Sequence, residues 1–140
     1  MYQVVIDTNV LVAGLLSNLG ASHRLLRLVG DQRWRINLSV PLILEYKQTL
    51  KRVCTGGSLS GSDIDDVLYF LCAKANLRNI FFLWRPLLPD PKDDFVLELA
   101  VESRADFLIT FNTRDFVGAE RFGVRVISPR EFLAIIGEAL

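Results

Sequence analysis

Short apolar segments alternate with longer helical patterns along the chain, and this alternation restricts the possible folds more than any other feature. Five segments have the length and apolar composition of strands. They are YQVVID (2–7), RINLS (35–39), NIFFLW (79–84), DFLIT (106–110) and VRVIS (124–128). Because parallel strands need a long crossover, usually a helix, this order predicts an α/β protein. We predict a three-layer α/β/α sandwich around a central, mostly parallel five-stranded sheet.

Helical periodicity occupies most of the intervals between the predicted strands. The five predicted helices lie within residues 25–29, 42–50, 64–71, 96–103 and 129–140. Gly30 would end the first helix, and Pro41 lies in the first turn of the second. Ser62 and Asp65 have the spacing of a capping box for the third. The loop TGGSLSG (55–61) is too short to separate domains, so we predict one domain over residues 1–140.

Composition excludes several classes of protein. The 140 residues are 51% hydrophobic and 23% charged, as in an ordinary globular domain. Cys54 and Cys72 lie 18 positions apart without a C-x-x-C motif or a Cys/His cluster, which predicts neither a disulfide framework nor a zinc site. We find no signal-peptide pattern and no apolar run of the roughly 18 residues that a membrane span needs. We therefore expect a reduced, cytoplasmic protein that is not bound to a membrane.

Acidic and amide side chains follow the first four predicted strands. In chain order they are Asp7, Glu45, Asp90, Asp93, Asp94, Asn112 and Asp115. In open parallel sheets, ligands bind beyond the carboxyl ends of the strands. We therefore expect these side chains at one edge of the sheet.

Each of these residues alone also has a structural explanation. Asp90, before Pro91, would cap the next helix and place Asp93 at its third position, where the helix dipole favours an acid. Glu45 lies among apolar residues. It fits two interpretations equally well: a solvent-exposed residue that interrupts the apolar pattern, or a ligand. Several carboxylates at one edge, however, repel each other unless a cation neutralises them. With one histidine and no paired cysteines, the oxygen-rich set favours Mg²⁺ or Mn²⁺.

Three segments resemble the PIN domain, a family of metal-dependent ribonucleases that includes the toxins of bacterial and archaeal toxin-antitoxin pairs. They are VVIDTNVLVAGLL (4–16), LSVPLILEY (38–46) and DPKDDFVLELAVESRADFLITFNTRDF (90–116). The ordered set is specific, whereas DTN alone is not. The resemblance implies an endoribonuclease that hydrolyses RNA phosphodiester bonds with Mg²⁺ or Mn²⁺, and an antitoxin protein as partner. We also expect a homodimer.

The resemblance also assigns roles to individual residues. Asp7, Glu45 and Asp93 match the first three acidic metal ligands of the family. Asn112 occupies the fourth ligand position, where many members have Asp and others Asn, and Asp115 would supply the missing charge. The implied catalytic group is therefore these five residues, with Asp115 outside the metal ligands. Polar residues that would support the group are Thr8, Asn9, Asp94 and Thr110.

Affinity for nucleic acid would come from basic residues. The net charge is zero, but residues 23–53 contain seven basic and two acidic residues, which favours either phosphate binding or a solvated helix face. The candidate RNA-binding residues are Arg24, Arg27, Lys92 and Arg114, with Arg104 also expected near the site. Trp34 is either a base-stacking or a packing residue. His23 is expected at the surface without a catalytic role.

Two other function classes fit parts of the sequence. A receiver domain would need an acidic pair after the first strand and a lysine after the last, but the chain has only Asp7 and VRVISPR there. A catalytically silent PIN-fold protein would act by docking RNA or a protein partner. The apolar segment IFFLWRPLL (80–88) could form such a surface or a dimer contact, or be a buried strand. The complete set of expected ligands favours the enzyme.

Overall fold

A parallel five-stranded sheet forms the centre of the molecule. The computed structural model describes residues 1–54, 57, 59–80, 88, 90 and 93–138. The strands in these ranges are β1 (Tyr2–Ile6), β2 (Trp34–Leu38), β3 (Asn76–Leu77), β4 (Phe107–Ile109) and β5 (Arg125–Ile127). The α-helices there are α1 (Thr8–Leu16), α2 (Ala21–Arg27), α3 (Val40–Val53), α4 (Gly61–Lys74), α5 (Asp94–Glu102) and α6 (Pro129–Ile135). Two 3-10 helices, Thr113–Phe116 and Ala119–Phe122, follow β4.

The strand order β3-β2-β1-β4-β5 creates a reversal of direction beside β1, and every pairing is parallel. Val4 of β1 pairs with Ile36 on one side and with Phe107 on the other. The chain moves outward from β1 to β3 and then returns to β4 across β1. Connections between parallel strands are right-handed. The connections β1 to β2 and β3 to β4 run in opposite directions along the sheet, so α1 and α5 lie on opposite faces of it. The predicted three-layer α/β/α class is confirmed, and the carboxyl ends of β1 and β4 are the switch point where such sheets bind ligands.

An aromatic cluster closes the core near the amino ends of the strands. Trp34 is 1% exposed and meets Phe132 edge to face, with 5.5 Å between ring centroids. Phe107 meets the same ring at 5.6 Å. The base-stacking alternative for Trp34 is therefore wrong, because its ring is enclosed by the core.

The third strand was predicted in the wrong place. β3 consists of Asn76–Leu77, whereas the predicted segment covered residues 79–84. Of that segment only Asn79 and Ile80 lie within the described residues, and neither is in a strand. The ladder ends early because β2 ends at Leu38, whose carbonyl accepts a hydrogen bond from Arg78 N at 2.8 Å. Most of the apolar segment 80–88 lies outside the described residues.

The capping box of α4 is also displaced from its predicted position. Ser60 Oγ accepts from Asp63 N at 3.1 Å, and Asp63 Oδ2 accepts from Ser60 N at 3.0 Å. Ser62 and Asp65 repeat this spacing, but α4 begins before them, and Asp65 pairs with Lys47 at 3.4 Å. None of the helices in the described ranges has the length and apolarity to cross a bilayer.

Gly14 sets how closely α1 and α2 approach, so we expect Gly14→Ala to destabilise the fold. An added Cβ would lie 2.5 Å from Leu26 Cδ1 and 2.8 Å from the backbone oxygen of Ser22. The helices must separate to admit it, which should lower the free energy of unfolding by about 1–3 kcal/mol. Gly61→Ala is the matched control, because a Cβ there meets nothing within 4 Å. Urea denaturation measures both variants, and equal stability of the two would contradict this packing.

Candidate active site

Asp7 lies where β1 ends and α1 begins, at the switch point of the sheet. Its backbone N donates to Ile109 O of β4 at 2.9 Å. Its side chain accepts from Thr8 N at 2.9 Å and from Thr110 Oγ1 at 2.8 Å. Burial raises the pKa of Asp7, the two hydrogen bonds oppose this, and the charges of Glu45 and Asp115 raise it further. Asp7 is thus both the cap of α1 and an acid held beside other acids.

Glu45 is joined to the same strand end through α3. Thr8 Oγ1 donates to Glu45 Oε2. The next residue, Tyr46, is fully buried, and its hydroxyl donates to Ile6 O. Burial, and then the charges of Asp7 and Glu45, raise the pKa of Tyr46, so the hydroxyl stays protonated as a donor. Glu45 is therefore a bound, half-buried group. Tyr46 was not among the predicted site residues. Its hydrogen bond to Ile6 O holds α3, and with it Glu45, against the end of β1.

Asp93 faces the other acids from the start of α5. Its pKa is raised to about 6, first by partial burial and then by the negative charges around it. Those charges belong to Asp7, Asp115, Asp90 and Glu45. The carboxyl group of Asp93 therefore lies within electrostatic range of four other carboxylates.

The two neighbours of Asp93 have different surroundings. Asp94 is fully buried and accepts from Leu88 N at 2.9 Å, so it supports the structure at the start of α5. Asp90 is not the N-cap residue of α5, which begins at Asp94, and its carbonyl oxygen accepts a hydrogen bond from Asp93 N at 3.0 Å. Asp93 stands at the N-cap rather than at the third helical position, and its side chain makes no capping bond.

Asn112 and Asp115 approach the cluster from the end of β4. Asn112 N donates to Thr110 Oγ1 at 3.0 Å, and Asp115 N donates to Asn112 O at 3.0 Å. Both residues are exposed, and Asn112 is the N-cap residue of the following 3-10 helix, although its side chain makes no capping bond. Asp115 contributes to the raised pKa of both Asp7 and Asp93. Asp115 is therefore the residue that brings the fourth negative charge.

The donor chemistry of this cluster fits a hard divalent cation. None of the ion pairs among described residues includes Asp7, Glu45, Asp93 or Asp115, so their mutual repulsion is not offset by an arginine or lysine there. Asn9 Oδ1, in the first turn of α1, is shielded from solvent and accepts no hydrogen bond from described residues. Over these same ranges, no three acidic, imidazole or thiol groups are close enough to hold one ion as they stand. Binding would therefore draw the carboxylates together.

Without metal, partial burial and the neighbouring negative charges should make ionised Asp93 destabilising at neutral pH. The pKa of Asp93 is about 6 in the folded chain, against 3.8 for an unperturbed aspartate. The folded state then binds more protons between about pH 4 and 6, and the free energy of unfolding falls as pH rises through that range. In EDTA at pH 7, Asp93→Asn should raise the free energy of unfolding by about 1 kcal/mol, a value reduced for solvent screening.

This gain should vanish near pH 4, where wild-type Asp93 is protonated in the folded chain. Urea denaturation of both proteins at the two pH values measures it. Equal stability at pH 7, or a gain that is as large at pH 4, would contradict the raised pKa of Asp93.

Arg24 and Arg27 lie away from the acidic cluster. Arg24 Nη2 donates to Glu138 at 2.9 Å, and Arg33 Nη2 donates to the same carboxylate at 2.6 Å. Arg33 directly precedes β2, so this group lies at the amino edge of the sheet, opposite Asp7. Arg27 is exposed on the same helix, α2. The structure therefore does not bring these two arginines to the candidate site.

Of the other basic residues predicted near the site, one lies there and one lies at the opposite edge of the sheet. Arg114 is exposed between Asn112 and Asp115, at the site. Arg104 precedes β4 and lies at the amino edge, so its expected position near the site is wrong. Lys92 lies outside the described residues. His23 is half-buried rather than at the surface, and its Nδ1 donates to Gly14 O at 3.0 Å, which joins α2 to α1.

Phe111 is a further residue at the site that sequence reasoning missed. It lies between Thr110 and Asn112 and is 51% exposed. The signal in the sequence is a large apolar residue placed just after a strand, between two polar residues, where the pattern calls for turn residues.

Comparison with known proteins connects this arrangement to a family. The model of the PIN domain family matches residues 3–114. A search of curated proteins by sequence finds no match. Among solved structures, VapBC2 from Rickettsia felis, bound to a DNA fragment from its promoter, is similar with a TM-score of 0.60 at 14% identity. The match covers 89% of this chain and 96% of that one.

VapBC-1 from nontypeable Haemophilus influenzae is similar with a TM-score of 0.58 at 16% identity, over 91% of this chain and 98% of that one. At such identities these structures support the fold. The family match is independent of them and covers β1, α3, the start of α5 and the end of β4, which carry the acidic residues. The chain belongs to the PIN domain family.

Proposed function

We propose that this PIN domain is a divalent-metal-dependent endoribonuclease and the toxin of a toxin-antitoxin pair. PIN domains are generally nucleases, which agrees with the acidic cluster. The observation that carries the proposal is the convergence of Asp7, Glu45, Asp93 and Asp115 at the switch point of the sheet. Burial, and then the neighbouring negative charges, raise the pKa values of Asp7 and Asp93, so a bound cation would stabilise their charged forms.

Mg²⁺ or Mn²⁺ would be held by Asp7, Glu45 and Asp93, with Asn112 as the fourth ligand. When bound, such an ion neutralises phosphate oxygens and lowers the pKa of a bound water. Asp115 would orient the attacking water, because its carboxylate lies beside the cluster. The oxygen ligands suit these hard ions better than zinc, iron or copper.

Polar residues behind the carboxylates would set their positions. Thr110 donates to Asp7, Thr8 donates to Glu45, and Tyr46 donates to the backbone at the end of β1. Oriented ligands lower the cost of assembling the charged transition state. Arg114 would contact a phosphate of the RNA backbone, since it is exposed at the rim of the site.

An antitoxin partner is proposed from the similar structures and from a surface groove. VapBC complexes are toxin-antitoxin pairs. An apolar groove of about 270 Å³ lies between α1, α2 and α4. Its apolar lining residues are Leu11, Leu15, Leu26, Val67, Phe70 and Leu71. We propose that the antitoxin covers this groove, and that the toxin acts in the cytoplasm as a homodimer.

The proposed activity is tested by incubating the purified chain with a mixed pool of single-stranded RNA. Parallel reactions contain Mg²⁺, Mn²⁺ or EDTA. We expect cleavage with either metal and none with EDTA. Intact RNA in the presence of both metals, or cleavage that persists in EDTA, would contradict a metal-dependent ribonuclease and favour a silent binding protein or different chemistry.

A further inference from the structure

The exposed ring of Phe111 stands on a rigid support beside the acidic cluster. Thr110, on one side, is fully buried, and its hydroxyl donates to Asp7 at 2.8 Å. Asn112 N, on the other side, donates back to that hydroxyl oxygen at 3.0 Å. The backbone of Phe111 is therefore fixed to the candidate metal ligand, while its side chain is 51% exposed. Its position relative to the site is set by direct bonds on both sides.

Among the described residues, those that line the surface beside Phe111 are polar. Residues 111–115 line an open cleft of about 410 Å³. Apart from Phe111, they are Asn112, Thr113, Arg114 and Asp115, all exposed. An apolar face of a protein partner would leave these polar groups poorly paired. A nucleotide fits better, because it combines a flat apolar face with a charged phosphate.

We propose that Phe111 is a stacking platform for one unpaired nucleobase of the substrate, with Arg114 contacting a phosphate of the same strand. This inference deepens the proposed nuclease function and rests on it. Every base has a face that can stack on an aromatic ring, so the contact does not depend on sequence. Bases in a duplex are already stacked and paired. The platform therefore selects single strands, loops and bulges over double-stranded RNA.

Two other aromatic residues, Trp34 and Tyr69, are less suited to this role. Trp34 is enclosed in the core. Tyr69 is 80% exposed, but it lies on α4 and not at the end of β4. Tyr69→Ala is therefore the matched control, since it removes an exposed ring away from the acidic cluster.

The test measures binding in EDTA, so that no RNA is cut. Two fluorescein-labelled probes are compared by fluorescence anisotropy: an eight-nucleotide oligouridylate, and a ribose-phosphate oligomer of the same length without bases. We expect Phe111→Ala to weaken binding of oligouridylate by about 5- to 150-fold. Its binding of the abasic oligomer should match that of wild type. Phe111→Trp should bind both probes at least as tightly as wild type, and Tyr69→Ala should be unchanged.

Two results would overturn the platform. One is wild-type affinity of Phe111→Ala for oligouridylate. The other is an equal loss for both probes, which would mean that the substitution disturbs phosphate contacts and not a base. The nuclease proposal fails separately: base-dependent binding through Phe111 without any metal-dependent cleavage would keep the platform and contradict the enzyme. Metal-dependent cleavage, together with RNA binding that Phe111→Ala does not weaken, would support the enzyme and contradict the platform.

Discussion

Asp7→Asn and Asp93→Asn should each reduce metal-dependent RNA cleavage by about 100- to 1000-fold or more while leaving the fold intact. Each substitution removes one negative charge from the proposed cation site. Losing a group that stabilises charge at a reacting centre typically costs that much in rate. Asparagine keeps the shape of the side chain. At position 7 its amide oxygen would still accept from Thr8 N, and its NH2 group would donate to the hydroxyl oxygen of Thr110.

The matched control for this loss is Asp65→Asn. Asp65 lies on α4, is exposed and pairs with Lys47, so the same chemical change there should keep wild-type cleavage. Initial rates on one defined single-stranded RNA, with circular dichroism as a check of folding, measure the effect. Cleavage within tenfold of wild type by either Asp7→Asn or Asp93→Asn would remove that residue from the site.

Trp34→Ala should cause the largest loss of stability among single core substitutions considered for this chain. Trp34 is 1% exposed and packs against Phe132 within the aromatic cluster that closes the sheet. Removing a buried tryptophan leaves a cavity that neighbours fill only in part, which costs about 3–5 kcal/mol in the free energy of unfolding. The expected result is a large shift of the urea midpoint with little change in slope.

Trp34→Phe is the control for this substitution, because it keeps an edge-to-face partner for Phe132. It should lose clearly less stability than Trp34→Ala. Both variants should cleave RNA at wild-type rates under conditions where they are folded, since Trp34 lies at the opposite edge of the sheet from the acidic cluster. If Trp34→Ala unfolds at the wild-type urea midpoint, the packing described for this end of the sheet is wrong.

The fold was predictable because its main signal is local and repeated. Each short apolar strand is followed by a helical pattern, and only a parallel sheet with helical crossovers connects such a series. The carboxyl ends of parallel strands share an edge, so Asp7 could be expected near Asp93 although 86 positions separate them. The sequence pattern alone does not settle which of Asp93 and Asp94 faces this edge. The buried bond of Asp94 to Leu88 N assigns that residue a structural role.

Helix α1 (Thr8–Leu16) was not predicted, and the reason is local. VLVAGLL is apolar on every side and lacks the helical period, because α1 packs between other elements. The place of β3 depends on where β2 stops, which is a tertiary property and not a property of residues 79–84.

The placement of charges was the least predictable property. Arg24 forms its ion pair with Glu138, 114 positions away, and this contact identifies the amino edge of the sheet as its location. A count of basic residues between positions 23 and 53 contains no such information. The exposure of Phe111 was also hard to predict, because a phenylalanine after a strand is usually expected to be buried.

The most direct test of the metal centre is the anomalous difference map of a crystal of the protein soaked in MnCl₂, compared with the same experiment on Asp93→Asn. We expect a manganese peak in contact with the carboxylates of Asp7 and Asp93 in the wild type, and its loss or strong reduction in the variant. A peak elsewhere with none at these carboxylates, or an equal peak in Asp93→Asn, would contradict the assignment of this cluster as the catalytic metal site.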